Sequence, residues 1–260
     1  MNRLAGQWFP YEREQRDAQL RLFCLPYAGG SASIFRNWGD FLPPQVQVVP
    51  VELPGRGGRL NEPPFVRLPA LIDALAEAVR PALQSPFALF GHSMGAVIAF
   101  ELARRLRRQH QVEPQKLFVA GRRAPQLPRT EPITYNLPED EFIKELHRLA
   151  GTPREVLEHA ELMQLFIPLL RADFEFIETY EYIPDEPLGC PITVFGGLQD
   201  EEVKREWLLQ WKAHTLSRCE IRMLPGDHFF IRSSQDILLR VLASELRELL
   251  ADAGTINGKP

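Results

Sequence analysis

A serine at the centre of a short glycine pattern is the first candidate for chemistry in this sequence. Residues 91–95 read Gly-His-Ser-Met-Gly, after an apolar run at residues 87–90 that is typical of a buried strand. Residues 94–106 follow with the composition of a helix and without proline. Between a strand and a helix, the pattern G-x-S-x-G exposes the serine hydroxyl for nucleophilic attack on a carbonyl. The pattern predicts Ser93 as a nucleophile, and a Gly-Ser turn without chemistry is the alternative.

An acid and a histidine follow Ser93 in an order that supports such a nucleophile. Asp200 comes soon after a predicted strand at residues 191–196, and His228 comes soon after one at residues 219–224. A histidine in this role takes the serine proton, while the acid holds the imidazole tautomer and stabilises its cation. We therefore expect Ser93, Asp200 and His228 to form a catalytic triad.

Other acids and histidines fit these two roles less well. Glu201 and Glu202 are the competitors of Asp200, although the G-G-x-x-D spacing of residues 196–200 favours the aspartate. Asp227 directly precedes the triad histidine and cannot easily face its ring. The remaining histidines lie beside the serine, on polar or inserted segments, or at the end of a helix: His92, His110, His147, His159 and His214.

A loop of small residues is the candidate for stabilising the charge that such an attack creates. Residues 26–31 read Pro-Tyr-Ala-Gly-Gly-Ser and follow a predicted strand at residues 20–25. Small residues let the backbone approach a substrate carbonyl closely, and backbone N–H groups aimed at it stabilise an oxyanion. We expect the N–H groups of Ala28 and Met94 to form this oxyanion hole, with a plain glycine turn as the alternative.

The elements that must position these residues alternate between strand and helix. Predicted strands occupy residues 20–25, 46–51, 87–90, 116–120, 191–196 and 219–224. Predicted helices occupy residues 32–38, 68–83, 94–106, 203–214 and 234–251. This order predicts a mostly parallel central sheet with helices on both faces. The chain order of Ser93, Asp200 and His228, each after a predicted strand, is the one used by the α/β-hydrolase fold, which we therefore expect. The triad residues then lie at the carboxyl edge of that sheet.

A helical segment interrupts the alternation between residues 122 and 187. Helical patterns occupy residues 138–150 and 160–182, with a short piece around residues 153–158, and their apolar residues cover more than one helical stripe. We expect a helical lid at 122–187, a hydrolase core at 1–121 and 188–252, and a disordered tail at 253–260. Leu170, Phe174 and Phe229 are expected to line an acyl pocket, although ordinary core packing is the alternative for any one of them.

The composition narrows the class of protein. The chain has 260 residues, of which 45% are hydrophobic and 25% charged, and its net charge of −4 gives no reason to expect nucleic-acid binding. Its start shows no apolar signal segment, and no run of about 18 apolar residues occurs, so we expect a cytoplasmic protein without a membrane span. The three cysteines are widely spaced in apolar runs and are expected to be reduced, with no metal site.

Several motifs together resemble the type II thioesterases, discrete editing hydrolases associated with polyketide and nonribosomal peptide synthetases. The resemblance covers nearly the whole chain, with one departure, a second glycine before Arg59. The arginines of that loop are interpreted either as phosphate contacts or as solvated charges. The motifs are LFCLPYAGGSASIFRNW (22–38), VELPGRGGR (51–59), FGHSMGA (90–96), LRADF (170–174), GGLQD (196–200) and GDHFF (226–230).

The resemblance implies hydrolysis of stalled or misprimed acyl and aminoacyl groups from the phosphopantetheine arm of carrier proteins. It implies no cofactor of the chain's own, transient contact with acyl or peptidyl carrier protein domains, and a monomer. One alternative is a chain-releasing or acyl-transferring hydrolase of the same fold. Another is a catalytically silent protein that binds carrier proteins, against which the intact triad argues.

Overall fold

A parallel sheet forms the centre of the fold. The computed structural model describes residues 6–12, 15, 17–149, 151 and 159–257. Within these residues the sheet has six strands in the order β2-β1-β3-β4-β5-β6, and every neighbouring pair is parallel. The mostly parallel sheet predicted from the sequence is therefore confirmed. The strands are β1 (Leu20–Leu25), β2 (Val46–Pro50), β3 (Phe87–His92), β4 (Lys116–Ala120), β5 (Ile192–Gly197) and β6 (Cys219–Leu224).

Helices cover both faces of the sheet. None of those in the described ranges is long and apolar enough to cross a membrane. The α-helices are α1 (Leu68–Val79), α2 (Met94–His110), α3 (Glu139–Leu149), α4 (Ala160–Glu178), α5 (Arg205–Leu209), α6 (Phe230–Ser233) and α7 (Gln235–Asn257). Short 3₁₀ segments occupy Ala32–Phe35, Trp38–Asp40, Gly57–Arg59, Arg80–Ala82 and Gln210–His214.

The four strands β1, β3, β4 and β5 are buried on both faces, so the side chains of each strand alternate between two cores. In β1, Phe23 and Leu25 belong to the core under α1 and α2, whereas Leu22 and Cys24 belong to the core under α7. Burial on both faces requires a nearly continuous apolar strand, because successive side chains point to opposite sides. This is the reason that the strands are short apolar runs in the sequence.

Helix boundaries differ from the predictions at several places. The predicted helix at residues 32–38 is two 3₁₀ segments, because Phe35 and Trp38 both turn inward to pack on the ring of Phe90. The predicted helix at residues 203–214 is divided into α5 and a 3₁₀ segment.

The C-terminal helix extends into the segment that was expected to be a disordered tail. Residues 253–257 continue α7, whereas residues 258–260 lie outside the described part of the chain. Ala251 and Ala253 are strong helix formers, and one glycine at 254 does not end a long helix that is already established. The expected helical piece at residues 153–158 also lies outside the described residues.

Helices α3 and α4 form a third, smaller core of their own. Its buried members are Phe142, Leu146, Met163, Ile167 and Leu170. The apolar excess of α4 is not entirely buried, since 61% of Leu165 is exposed.

The register of the sheet brings the ends of three strands together. Leu25 at the end of β1 pairs with Gly91, and His92 at the end of β3 pairs with Ala120 at the end of β4. The loops that follow these strands therefore meet at one edge, where open parallel sheets bind their ligands.

Candidate active site

Ser93 occupies a strained turn between β3 and α2. Its φ of 51° and ψ of −110° are rarely adopted by residues other than glycine, and such strain is found mostly at functional sites. The turn is held by the Ser93 N–H, which donates to the carbonyl of Ala120 over 2.8 Å. A serine in this geometry stands clear of the sheet, as a nucleophile requires.

The two glycines around Ser93 are sterically required. A Cβ at Gly91 would lie 2.0 Å from the carbonyl oxygen of Gly95, and a Cβ at Gly95 would lie 2.2 Å from the carbonyl oxygen of Leu25. Both distances are far inside van der Waals contact. The pattern G-x-S-x-G is therefore what lets α2 turn back against the strands and carry the serine.

Asp200 and His228 come together from two loops at the same edge of the sheet. The Nδ1 atom of His228 lies 2.9 Å from the Oδ2 atom of Asp200. The other carboxylate oxygen, Oδ1, accepts the N–H groups of Glu202 and Val203 over 2.9 and 3.0 Å. The carboxylate is thus fixed by its own loop, and its free oxygen orients the imidazole with Nδ1 as the donor.

The competing acids are engaged elsewhere. Oδ1 of Asp227 accepts the N–H of Phe229 over 2.8 Å, and Glu202 pairs with Arg148 over 2.7 Å. Glu201 is exposed to solvent. Of these neighbouring carboxylates, Asp200 is the one that contacts the histidine.

A cavity of about 400 Å³ opens beside the serine and the histidine. Ser93 and His228 line it together with Ala28 and Met94, so the structure brings the predicted nucleophile, base and oxyanion-hole residues to one space. The three predicted pocket residues also line the cavity, along with further apolar side chains of α3 and α4. This apolar wall consists of Leu146, Leu149, Leu170, Phe174, Ile177 and Phe229.

Part of the cavity wall is polar, which sequence reasoning did not predict. Arg123 pairs with Glu131 there, and Arg129 pairs with Glu178 over 3.0 Å. Arg122 also lines this wall, and burial, followed by the charge of Arg123, lowers its pKa to about 10. The sequence did contain a signal for this wall, because residues 122–123 follow β4 at the same edge of the sheet as Ser93.

Tyr180 contributes a neutral hydroxyl to the same wall. Its hydroxyl donates to Oε1 of Glu101 over 2.7 Å. Burial and the charge of Glu101 raise the pKa of Tyr180 well above its ordinary value, so the phenol keeps its proton.

His92 is a buried aromatic support and does not compete for the role of base. Its ring is fully buried and packs edge to face against Tyr27, His228 and Phe230, with centroids 5.3 to 5.6 Å apart. Burial, followed by the charge of His228, holds the pKa of His92 well below its usual value. A neutral ring at this position adds no positive charge to the surroundings of His228.

Gly121 is a further residue of the site that the sequence analysis missed. It follows β4 with a φ of +59°, and a Cβ there would lie 3.0 Å from Cε1 of His92 and 3.3 Å from Cε1 of His228. A glycine directly after a predicted strand, at the edge shared with the triad, is the signal that could have found it.

Comparison with known proteins shows extensive similarity. A family model described as a thioesterase domain matches residues 20–246. The gramicidin S biosynthesis protein GrsT of Aneurinibacillus migulanus is 44% identical over 246 residues, covering 95% of this chain and 96% of GrsT.

Two solved structures are similar in fold as well as in sequence. The RedJ thioesterase of prodiginine biosynthesis in Streptomyces coelicolor is 39% identical with a TM-score of 0.83, covering 89% of this chain and 87% of RedJ. The type II thioesterase BorB of the borrelidin cluster is 34% identical with a TM-score of 0.85, covering 94% of this chain and all of BorB. The predicted α/β-hydrolase fold is confirmed by these similarities.

Proposed function

The chain belongs to the thioesterase family, and from this premise we propose that it is a serine hydrolase of acyl and aminoacyl thioesters. Ser93 is the nucleophile, His228 its general base and Asp200 the acid that orients the base. One observation supports this most strongly: a strained serine and a histidine held by a buried carboxylate line the same cavity.

The reaction follows from this arrangement. His228 faces Asp200 with Nδ1, which leaves Nε2 to take the proton of Ser93 as Oγ attacks the thioester carbonyl. The oxyanion forms in front of the N–H groups of Ala28 and Met94. The carbon–sulfur bond then breaks, and the leaving thiolate takes the proton from His228. Water attacks the acyl-enzyme by the same route and regenerates Ser93.

The thioester is carried by a partner and not by a cofactor of this chain. BorB is described as a type II thioesterase, and GrsT as a protein of gramicidin S biosynthesis. By analogy with these relatives, the substrates are stalled or misprimed groups on the phosphopantetheine arm of a carrier protein. The carrier protein docks transiently on a monomeric enzyme in the cytoplasm. Side chains and backbone groups suffice for every step.

The inserted segment forms one wall of the acyl site. We assign residues 122–187 as a lid on a hydrolase core of residues 1–121 and 188–252. Helices α3 and α4 supply Leu146, Leu170 and Phe174 to the cavity, and the apolar part of its wall suits an acyl chain. The paired charges of the polar wall suit the amide groups of a pantetheine arm or the amine of an aminoacyl group.

A direct test combines hydrolysis with covalent labelling. Wild-type protein should hydrolyse acyl-carrier and acyl-pantetheine thioesters, and a fluorophosphonate probe should label it. Ser93→Ala should lose both the label and at least about 10³-fold in turnover. Ser217→Ala changes an exposed serine outside the cavity and is the matched control.

Two outcomes would contradict the proposal. Wild-type turnover by a folded Ser93→Ala protein would exclude Ser93 as the nucleophile. A wild-type protein that is neither labelled nor active, yet binds carrier proteins, would support a catalytically silent scaffold instead.

A further inference from the structure

A buried ion pair joins α4 to the loop after β2. Arg56 and Asp173 are only 4% and 2% exposed, and two parallel hydrogen bonds of 2.9 and 2.7 Å connect the guanidinium to the carboxylate. Removing two charges from water is costly, and well-packed apolar residues would often stabilise a fold equally well. Stability alone therefore does not explain this pair, and the other contacts of Arg56 and Asp173 indicate a further role.

Both members also bind the loop that carries the proposed oxyanion donor. Oδ2 of Asp173 accepts the N–H of Gly29 over 2.7 Å, and Nη1 of Arg56 donates to the carbonyl of Gly30 over 3.1 Å. Gly29 directly follows Ala28. Because a peptide unit is planar, fixing the Gly29 N–H also fixes the Ala28 carbonyl and limits rotation at Ala28. The Ala28 N–H shares its own peptide plane with the Tyr27 carbonyl, which accepts the N–H of Gly30 over 2.9 Å, so the ion pair holds this N–H indirectly through Gly29 and Gly30.

Apolar contacts seat α4 on the same loops. A Cβ at Gly29, whose φ is +74°, would lie 2.7 Å from Cδ2 of Leu170. A Cβ at Gly55, whose φ is +85°, would lie 3.3 Å from Cδ1 of Leu169. Both glycines thus provide the space and the backbone conformation that let consecutive leucines of α4 rest directly on the backbone.

The loop of residues 26–32, which carries Ala28 and is called the oxyanion loop below, is also held at its far end. Oε1 of Glu52 accepts the N–H of Ala32 over 3.1 Å, and Glu52 begins the same loop that contains Arg56. Residues 29–32 are consequently held between a carboxylate of α4 and a carboxylate of the loop after β2. This arrangement leaves the loop little freedom to move unless α4 moves with it.

From these contacts we propose that Asp173 is a positioning residue for the oxyanion hole, with Arg56 as the partner that orients its carboxylate. The inference rests on the proposed function, because it assigns a purpose to the Ala28 N–H. The same contacts divide the inserted segment into two parts. Residues 169–173 belong to the fixed framework of the active site, and they stay in place when the rest of the lid opens.

The central experiment is a steady-state comparison of wild type and Asp173→Asn. An asparagine has one acceptor oxygen and a donor NH₂ group, so it cannot accept from Gly29 and from both Nη1 and Nη2 of Arg56 as the aspartate does, and the loop should relax. Misplacement of a catalytic group by about 1 Å costs about 10²-fold, and loss of one oxyanion donor costs about 10²- to 10³-fold. We expect kcat to fall by about 10- to 100-fold, with KM within about threefold.

A transition-state probe separates positioning from a general loss of structure. An alkyl boronic acid forms a tetrahedral adduct on the serine, so its affinity should fall in parallel with kcat/KM in Asp173→Asn. The matched control is Glu175→Gln, which removes an exposed ion pair between the same helix and Arg67 that does not reach the oxyanion loop. This control should keep wild-type kcat and boronate affinity.

A double variant keeps the test decisive if single variants are unstable. Arg56→Met with Asp173→Leu removes both buried charges and should recover the melting temperature that either single change loses. The Gly29 N–H still lacks its acceptor, so kcat should remain about 10-fold or more below wild type.

Three results would overturn the inference. These are an Asp173→Asn enzyme with wild-type kcat, a boronate affinity that does not change with kcat/KM, and a double variant that recovers kcat together with stability. A wild-type protein without thioesterase activity would instead overturn the proposed function, and this inference with it.

Discussion

The Nδ1 atom of His228 lies 2.9 Å from the Oδ2 atom of Asp200, whose side chain is completely buried. The carboxylate does not depend on the histidine for its position, because two backbone N–H groups of residues 202–203 bind its other oxygen. A carboxylate that is fixed in advance can hold the imidazole in one tautomer throughout the reaction. The position of the Asp200 carboxylate is therefore set by its own loop and not by His228.

Asp200→Asn should lower kcat by about 10²- to 10⁴-fold with little change in fold. The asparagine amide keeps the shape but removes the charge and permits the wrong imidazole tautomer. Glu201→Gln, an exposed neighbour, is the matched control and should keep most activity. Steady-state kinetics on an acyl-pantetheine thioester measure both. The opposite ranking of the two variants would move the triad acid to residue 201.

Gly95→Ala should destabilise the protein by about 2 kcal/mol or more, since overpacking commonly costs about 1–3 kcal/mol. The new Cβ would lie 2.2 Å from the carbonyl oxygen of Leu25 and 2.7 Å from that of Pro26, so backbone must shift. Gly58→Ala is the control, because its Cβ would meet nothing within 4 Å and should change stability by about 0.5 kcal/mol or less. Urea unfolding midpoints measure the difference, and equal midpoints would contradict the assigned packing.

His214 should make the protein less stable as the pH falls from 7 to 5. Burial, followed by the charge of Arg104, lowers its pKa from 6.5 to about 4. Below pH 6.5, His214 is therefore protonated in the unfolded chain, whereas in the folded protein it stays neutral until the pH approaches 4. The free energy of unfolding falls over that window, by about 2 kcal/mol from pH 7 to pH 5.

The contribution of His214 is measured from the slope of stability against pH. His214→Gln should lower stability at pH 7 but reduce the loss between pH 7 and pH 5. Identical slopes in wild type and His214→Gln would show that this ring does not titrate as its burial implies.

The proposed triad could be predicted from the sequence because each of its members follows its own strand. The strands are apolar runs, and a parallel sheet places their carboxyl ends at one edge, so Ser93, Asp200 and His228 could be assigned to that edge from the sequence alone. The polar cavity wall around Arg122 and Arg123 follows the same rule, and was missed although its signal was present.

The contact between Arg56 and Asp173 could not be predicted in the same way. The two residues are 117 positions apart in the sequence. The sequence around Arg56 does not indicate that Asp173 is its partner, and the sequence around Asp173 does not indicate Arg56. The interpretation of the loop arginines as phosphate contacts or solvated charges is wrong. Arg56 is buried against α4, and Arg59 is buried with its guanidinium on Glu62 and on the carbonyl of Glu52. Only the docking of α4, a tertiary event, determines these partners.

Phe174 is the residue through which the choice of acyl chain is best tested. Its ring lines the cavity and packs edge to face on Phe142, with centroids 5.5 Å apart. Leu170 also lines the cavity, but it rests on Gly29, so a change there would disturb the oxyanion loop as well. Phe174→Ala alters the wall of the pocket without touching that loop.

Phe174→Ala should shift the preference of the enzyme toward longer acyl groups. Each buried methylene is worth about 0.8 kcal/mol, or roughly fourfold in kcat/KM, until the pocket is filled. An editing enzyme gains little from strong selection, so wild type should vary only modestly from acetyl to mid-length thioesters. The variant has space for additional methylenes, and its ratio of decanoyl to acetyl kcat/KM should rise several-fold. Leu165→Ala, at a largely exposed position of the same helix, should keep the wild-type profile. An unchanged profile in a folded Phe174→Ala enzyme would mean that α4 covers the site without shaping its acyl pocket.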